Sequence, residues 1–276
     1  MALFRRELAP AKLNLTLHVT GQRPDGYHLL DSLVVFLGVG DVVTLTDGPP
    51  GLSLSGPFAA GLSDGPDNLC LRAARLAGRD EVAIGLEKNL PVASGIGGGS
   101  ADAAAVLRIL GTRPQGAEAL GADVPVCLAG RATRMRGLGE ILDPLPPLPA
   151  LHLVLVNPLM ALSTPAVFRA LDCRENPPMP QALPDLSDLP ALIAFLAACR
   201  NDLQKPAIRL MPRIGDCLTA LQAQGAILAR MSGSGATCFG IFDTARTAQQ
   251  AAARLSREYP GWWSVASGLA PAPISG

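Results

Sequence analysis

The residues best suited to chemistry lie in the stretch Lys88–Leu107, KNLPVASGIGGGSADAAAVL. Gly95, Gly97, Gly98 and Gly99 allow positive φ and let a ligand come close to bare amides. Ser94, Ser100 and Asp102 add small polar groups. Upstream, Val82, Ile84 and Leu86 alternate with Ala83, Gly85 and Glu87, which reads as a short strand. Downstream, Ala103, Ala104, Val106, Leu107 and Leu110 recur at helical spacing, and a helix is expected from Ala101 onward. A helix start leaves its first N–H groups unpaired and carries partial positive charge. Strand, glycine loop and helix start together read as a phosphate cradle, with an ordinary flexible glycine loop as the rival. A side chain at Gly98 is expected to enter the phosphate path.

Two common phosphate loops are excluded. The Walker pattern ends in Gly-Lys-Ser/Thr, whereas Gly99 is followed by Ser100 and Ala101 and no lysine lies within the loop. The dinucleotide fingerprint beginning at Gly95 and Gly97 needs a third glycine where Ser100 stands. Other polar residues sit where they could serve the same chemistry. Lys12 and Asn14 share one face of an expected strand, Ala11–Val19, whose Leu13, Leu15, Leu17 and Val19 form the other; a solvated edge lysine is the rival. Tyr27 and His28 leave the turn GQRPDGY and offer a flat face and a hydrogen-bonding edge suited to a planar heterocycle, with strand packing as the alternative. Asp123 lies in the apolar run GADVPVCL, where a carboxylate is costly unless paired, functional or capping a helix.

These residues need elements to hold them. Asp41–Thr46 and Leu52–Leu54 read as strands. Asn68 is a candidate N-cap for a helix striped by Leu69, Ala73, Leu76 and Ala77. The segment 111–118 is short and polar. Leu142–Ala150 carries four prolines and reads as a domain boundary, giving domains of 1–148 and 149–276. Beyond it come a strand at Leu151–Val156 and a helix start at Ser163-Thr164-Pro165. A proline-rich surface loop at Asn176–Pro190 precedes helices at Ala191–Cys199 and Ile208–Gln224, the latter interrupted by Pro212. A second glycine-serine loop, Met231–Thr237, is flanked by strands. A helix at Ala245–Arg257 and a strand at Trp262–Ala266 follow.

Composition narrows the class. A chain of 276 residues can bury a full core. Its formal net charge of zero offers no general field for nucleic acid or an anionic membrane, so phosphate must be held by local charge. No apolar run is long enough for a membrane span and the first residues do not form a signal peptide, so a cytoplasmic protein is expected. Cys70, Cys127, Cys173, Cys199, Cys217 and Cys238 are scattered without close pairs and read as reduced core residues. His18, His28 and His152 are too far apart for a local zinc motif.

Taken together, the chain resembles the GHMP-type small-molecule kinases. The resemblance rests on Ala9-Pro10-Ala11-Lys12-Leu13-Asn14-Leu15, Arg23-Pro24-Asp25-Gly26-Tyr27-His28, Leu90-Pro91 through Gly99-Ser100-Ala101, Gly121-Ala122-Asp123-Val124-Pro125 and Gly233-Ser234-Gly235-Ala236-Thr237. It covers nearly the whole chain. It implies an α+β, two-domain fold, with an N-terminal ribosomal-S5-like βα domain and a C-terminal ferredoxin-like α/β sandwich domain. It also implies ATP as phosphoryl donor with Mg²⁺, acting on the 2-hydroxyl of a cytidine-diphosphate-linked methylerythritol in non-mevalonate isoprenoid (terpenoid) biosynthesis. That substrate is a small molecule, with neither nucleic acid nor membrane as partner.

The resemblance assigns roles as well. Asp123 would take the hydroxyl proton, and Lys12 would hold that carboxylate ionised and favour the developing alkoxide. Pro91, Val92, Ala93, Ser94, Gly95, Ile96, Gly97, Gly98, Gly99, Ser100 and Ala101 would cradle the ATP phosphates, with Asn68 and Lys88 near the nucleotide and Ser100 at the Mg²⁺ or β-phosphate. Tyr27 and Phe168 would sandwich the cytosine, His28 would read its edge, and Asn14 and Thr164 lie on the substrate side. Gly233–Thr237 would pack against the phosphate loop. Ala101 and Asp102 depart from the serine and asparagine of many relatives, which leaves the metal ligands unassigned and makes Asp102 a candidate compensating ligand. The segment 111–120 is short where relatives fit another helix, so a trimmed lobe is expected. The alternatives are another GHMP kinase acting on mevalonate, homoserine or a sugar, and a non-catalytic nucleotide-binding regulator.

Overall fold

The computed structural model describes residues 4–46 and 48–271. Its organising strand is β3 (His28–Thr46), which pairs with β1 (Phe4–Asn14), β2 (His18–Gln22), β5 (Ala83–Glu87) and β6 (Thr133–Gly137). β4 (Gly51–Ser55) lies parallel to β5, and β7 (Ile141–Pro144) pairs with β6 to complete a seven-stranded sheet. The middle of β3 reads LVVFL because both of its faces are buried. Val34 and Phe36 enter one core, while Leu33, Val35 and Leu37 enter another. Without alternation this run gives no strand signature, so the expected separate strand at Asp41–Thr46 is the end of a much longer one.

A second, antiparallel sheet has the order β11 (Trp263–Ser267), β8 (His152–Asn157), β10 (Cys238–Phe242), β9 (Leu228–Met231). β8 is again buried on both faces: Val154 and Val156 face a core with α4 (Thr164–Arg169), α6 (Gln204–Leu210), α7 (Arg213–Ala223) and α8 (Ala245–Glu258). Leu153 and Leu155 join Leu13, Leu33 and Val35 of the first sheet in a shared core closed by α5 (Leu189–Ala198). On the outer face of the first sheet lie α1 (Leu69–Leu76), α2 (Gly98–Ile109) and α3 (Val124–Ala129). This is the expected α+β architecture. Every strand of the first sheet precedes residue 145 and every strand of the second follows residue 151.

Several expectations change. The strand expected over Ala11–Val19 is broken after Asn14, because Leu17 leaves β3 to exchange backbone hydrogen bonds with Arg200 and Asp202. Lys12, Asn14, Thr16 and His18 are all buried, so neither face of this stretch is solvated. Helix α2 begins at Gly98 instead of Ala101, since Gly97 in the left-handed region already turns the chain into the helix. The segment Asn176–Pro190 is not simply surface. Met179 and Leu186 are buried, Asp31 accepts from the Met179 amide at 2.9 Å, and Arg134 holds the carbonyls of Met179, Pro180 and Gln181. The proline-rich boundary stretch begins inside β7. Between α2 and α3 the short segment forms only a 3-10 turn at Ala117–Ala119.

Candidate active site

The glycine loop and the start of α2 form one wall of a cavity of about 500 Å³. Gly97 (φ 65°) supplies no side-chain cap, and the first helical bond runs from the Ala101 amide to the Gly97 carbonyl at 2.8 Å. The amides of Gly98, Gly99 and Ser100 therefore have no intrahelical acceptor, as an anion site requires. Positive φ falls on Ala93, Gly95 and Gly97, whereas Gly98 and Gly99 are helical. A Cβ on Gly98 would lie 3.1 Å from Lys88 Nζ and 3.5 Å from Asp41 Oδ2, so a side chain there would first meet these buried charges at the cavity floor.

Gly95 is glycine for a packing reason. A Cβ on it would sit 2.6 Å from the Gly235 carbonyl oxygen and 2.7 Å from that of Ser232. The loop Met231–Thr237 is bound here, with the Thr237 amide donating to the Ser94 carbonyl at 3.1 Å and the Ser232 hydroxyl to the Gly95 carbonyl at 3.0 Å. The expected contact between the two glycine loops is thus direct.

At one end of the cavity Lys12 Nζ donates to Asp123 Oδ2 at 2.9 Å. The lysine side chain is 5% exposed and the aspartate 33%, so the carboxylate opens onto the cavity while its cation is enclosed. Lys12 is placed by its own amide, which donates to the Ile96 carbonyl at 2.9 Å, and it packs beside Gly97. Asp123 occupies the N-cap position of α3, yet its side chain makes no capping hydrogen bond. The capping explanation for this acid therefore gives way to pairing with Lys12.

The cavity lining brings together Lys12, Asn68, Lys88, Pro91, Val92, Ala93, Ser94, Gly95, Gly97, Gly98, Gly99, Ser100, Asp123 and Thr164. Ile96 and Ala101 do not line it; both are buried in the cores on either side. Asn68 spends its side chain on structure, its Oδ1 accepting from the Cys70 amide at 2.9 Å as N-cap of α1. Thr164 Oγ1 lies 2.7 Å from Ser234 Oγ, which joins α4 to the second glycine loop. Outside the cavity, Asn14 Nδ2 donates to Ser32 Oγ at 2.8 Å and its Oδ1 has no partner. Tyr27 is 64% exposed. The aromatic pair actually in contact is His28 with Phe168, stacked at 4.7 Å and 27°. His28 Nε2 is buried without a partner, and burial, with the Arg174 cation, holds the ring below the usual imidazole pKa.

Lys88 is not free in the cavity. Its ammonium is held by Asp41 and, at 2.6 Å, by Asp102. Burial lowers its pKa, but the two carboxylates outweigh that and hold it above the ordinary range. Burial pushes the Asp102 carboxyl up to about 7 against the pull of Lys88, with Asp41 adding to the rise. Asp102 lines the cavity with Oδ2 committed to Lys88 and Oδ1 buried without a partner. Asp41 was absent from the sequence-based site. Its signal was available, since an acid inside VGDVVTL is costly unless paired, the argument that marks Asp123.

Comparison with known proteins matches this geometry to a family. The family model described as GHMP kinases N terminal domain matches residues 68–131, which include α1, the glycine loop, α2 and Asp123, and that of GHMP kinases C terminal matches residues 182–261. The chain is 71% identical over 272 residues to the 4-diphosphocytidyl-2-C-methyl-D-erythritol kinase of Paracoccus denitrificans, covering 99% of each chain. The chain belongs to the GHMP kinase family. A second relative of the same name, from Cereibacter sphaeroides, is 57% identical over 97% of this chain and 98% of its own. A crystal structure of 4-(cytidine 5'-diphospho)-2C-methyl-D-erythritol kinase superposes with a TM-score of 0.78 at 35% identity, covering 97% of this chain and 100% of the other. As a GHMP kinase the chain is an ATP-dependent small-molecule kinase, and the open amides of α2 suit a triphosphate.

Proposed function

We propose that this kinase transfers the γ-phosphoryl group of ATP to the 2-hydroxyl of 4-diphosphocytidyl-2-C-methyl-D-erythritol, a step of non-mevalonate isoprenoid precursor biosynthesis. The observation that carries the chemistry is the Lys12–Asp123 pair at the end of the glycine cavity, 2.9 Å apart. Asp123 accepts the proton of the attacking hydroxyl. Lys12, enclosed and already bonded to that carboxylate, keeps its oxygen aimed and supplies positive charge beside the developing alkoxide. The amides of Gly98, Gly99 and Ser100 with the dipole of α2 align the triphosphate, and alignment with charge neutralisation is most of what phosphoryl transfer needs.

Mg²⁺ fits this donor set. Ser100, near the start of α2, and Asp123, before α3, both line the cavity, and a hard cation that keeps waters and phosphate oxygens needs few protein ligands. Ser100 would hold it, and it would neutralise charge on the transferred phosphoryl group.

On the acceptor side, Phe168 and His28 form an aromatic platform, and His28 carries a ring nitrogen, Nε2, that has no hydrogen-bond partner within the chain and would be the one to read a base edge. Tyr27, next in the chain and exposed, can close over the opposite face of a cytosine. Thr164, which lines the cavity, is the candidate contact to the sugar alcohol, and Asn14, buried outside the cavity, would support the acceptor side from behind. The relatives' printed names specify the same acceptor. Among the described residues no helix is long and apolar enough to cross a membrane. We assign the reaction to the cytoplasm, with a small-molecule acceptor and neither nucleic acid nor membrane as partner.

A coupled assay of ATP turnover tests the reading with three acceptors: the cytidyl methylerythritol, mevalonate and homoserine. Turnover confined to the first is expected. Equal or greater turnover with either of the others sinks the assignment.

A further inference from the structure

Under the start of α2, at the floor of the same cavity, lies a buried cluster of charge to which the chemistry above gives no step; Lys88 and Asp102 line the cavity and Asp41 lies beneath them. Lys88, just past the end of β5, bonds Asp41 on β3 and Asp102 on α2, the latter at 2.6 Å. Asp41 Oδ1 also accepts from the amides of Asn89 and Leu90, at 2.6 and 2.7 Å, where the glycine loop begins. Exposure is 0% for Asp41 and 3% for both Lys88 and Asp102. One ammonium faces two carboxylates, and Asp102 Oδ1 has no hydrogen-bond partner. A buried cluster with excess charge and an orphan oxygen is a poor source of stability compared with apolar packing.

Its position gives a better reason for it. The cluster joins the three elements that frame the cradle, and it leaves no room for a side chain on Gly98, the first residue of α2, where a Cβ would lie 3.1 Å from Lys88 Nζ. Asp41 holds the entry of the loop, Lys88 is the bridge, and Asp102, one turn into α2, is the attachment on the helix whose amides face the phosphates.

We propose that the Asp41–Lys88–Asp102 triad is a positioning device for the phosphate cradle, and that Asp102 fixes the start of α2 against the loop so that ATP affinity depends on it. This rests on ATP occupying the cavity. Loss of the Asp102 carboxylate leaves Lys88 and Asp41 as a neutral pair that still holds the Asn89 and Leu90 amides, while α2 loses its tie. Amide hydrogen bonds to an anion weaken steeply with misalignment, so a displaced helix start lowers ATP affinity more than it lowers the stability of the fold.

The test uses the full chain carrying Asp102→Leu, of similar bulk, and Asp102→Asn, whose amide oxygen can still accept from Lys88. Binding of a non-hydrolysable ATP analogue is measured by calorimetry without acceptor, together with KM for each substrate and the melting temperature. Asp102→Leu is expected to weaken the analogue roughly tenfold or more, the loss of about one charged hydrogen bond, to raise KM for ATP in parallel, and to leave KM for the acceptor and the melting temperature unchanged. Asp102→Asn is expected to restore most of the affinity. Wild-type affinity in Asp102→Leu overturns the proposal. So do a parallel rise in both KM values with a lower melting temperature, a fall in kcat alone, failure of Asp102→Leu to fold, or an Asn variant as weak as the Leu one. If the wild-type chain binds the analogue but phosphorylates no cytidyl acceptor, the acceptor assignment fails while the binding comparison still decides the triad.

Discussion

In the proposed reaction Asp123 and Lys12 supply one base and one cation, and the rest is geometry. The carboxylate is one-third exposed and its lysine almost enclosed, so removing the negative charge disables proton acceptance without opening the nucleotide wall. Asp123→Asn is therefore expected to lower kcat by roughly 10² to 10⁴ with KM for ATP nearly kept, as steady-state kinetics would read; unchanged kcat would remove Asp123 from the base role. Phe168 offers a second test. It stacks on His28, and an aromatic contact contributes about 0.5–1.5 kcal/mol beyond area. Phe168→Ala should raise KM for the cytidyl acceptor roughly two- to tenfold or more, with KM for ATP unchanged. Equal effects on both substrates would mean that α4 had lost its place.

At the scale of elements, glycines that look alike in the sequence separate by what surrounds them. Gly95 meets backbone of the second glycine loop and Gly98 meets Lys88, so neither is kept small by the ligand alone. Gly95→Ala has no flexible side chain to displace, only the carbonyls of Ser232 and Gly235, and it also holds φ at 76°. It is expected to lower the melting temperature and to weaken ATP and acceptor together, because it parts the two loops that meet at the site. By contrast, Asn68→Ala should cost about 1 kcal/mol of stability through the lost N-cap of α1, measured by urea denaturation, and a much larger loss of ATP affinity than of stability would give Asn68 a direct nucleotide role. The glycine loop was legible in the sequence because strand, loop and helix are contiguous and each announces itself by local pattern. The register of α2 was not, since Gly98 and Gly99 read as loop residues and become helical only because Gly97 turns the chain early.

Across the whole molecule, the two sheets are held by a common core and by polar links that run between distant segments. His18 is one of them. Its Nδ1 faces the Pro177 carbonyl at 3.2 Å and its Nε2 accepts from the Arg200 amide at 3.4 Å, an arrangement that fits the neutral ring with its proton on Nδ1. Burial, with the Arg200 cation, lowers its pKa below 6.5. The unfolded chain then binds the extra proton first, so this contribution to stability is complete above about pH 6.5 and is lost as pH falls below it towards the folded pKa. Urea midpoints are expected to drop between pH 7 and pH 5.5, and His18→Gln should flatten part of that drop. An unchanged slope in the variant would assign the acid sensitivity elsewhere.

Local pattern was enough to read the strand, glycine loop and helix of Val82–Leu110, the Asn68 cap and most of the helices, because these depend on hydrogen bonds and periodicity among near neighbours. It left the middle of β3 unread, since a strand buried on both faces shows no alternation. Tertiary structure alone decided which polar groups meet. Lys12 and Asp123 are 111 residues apart, and Asp41, Lys88 and Asp102 come from three elements; nothing local records that they converge. Their pairing follows from burial on both sides of a shared sheet, where a charge must find a partner supplied by the fold.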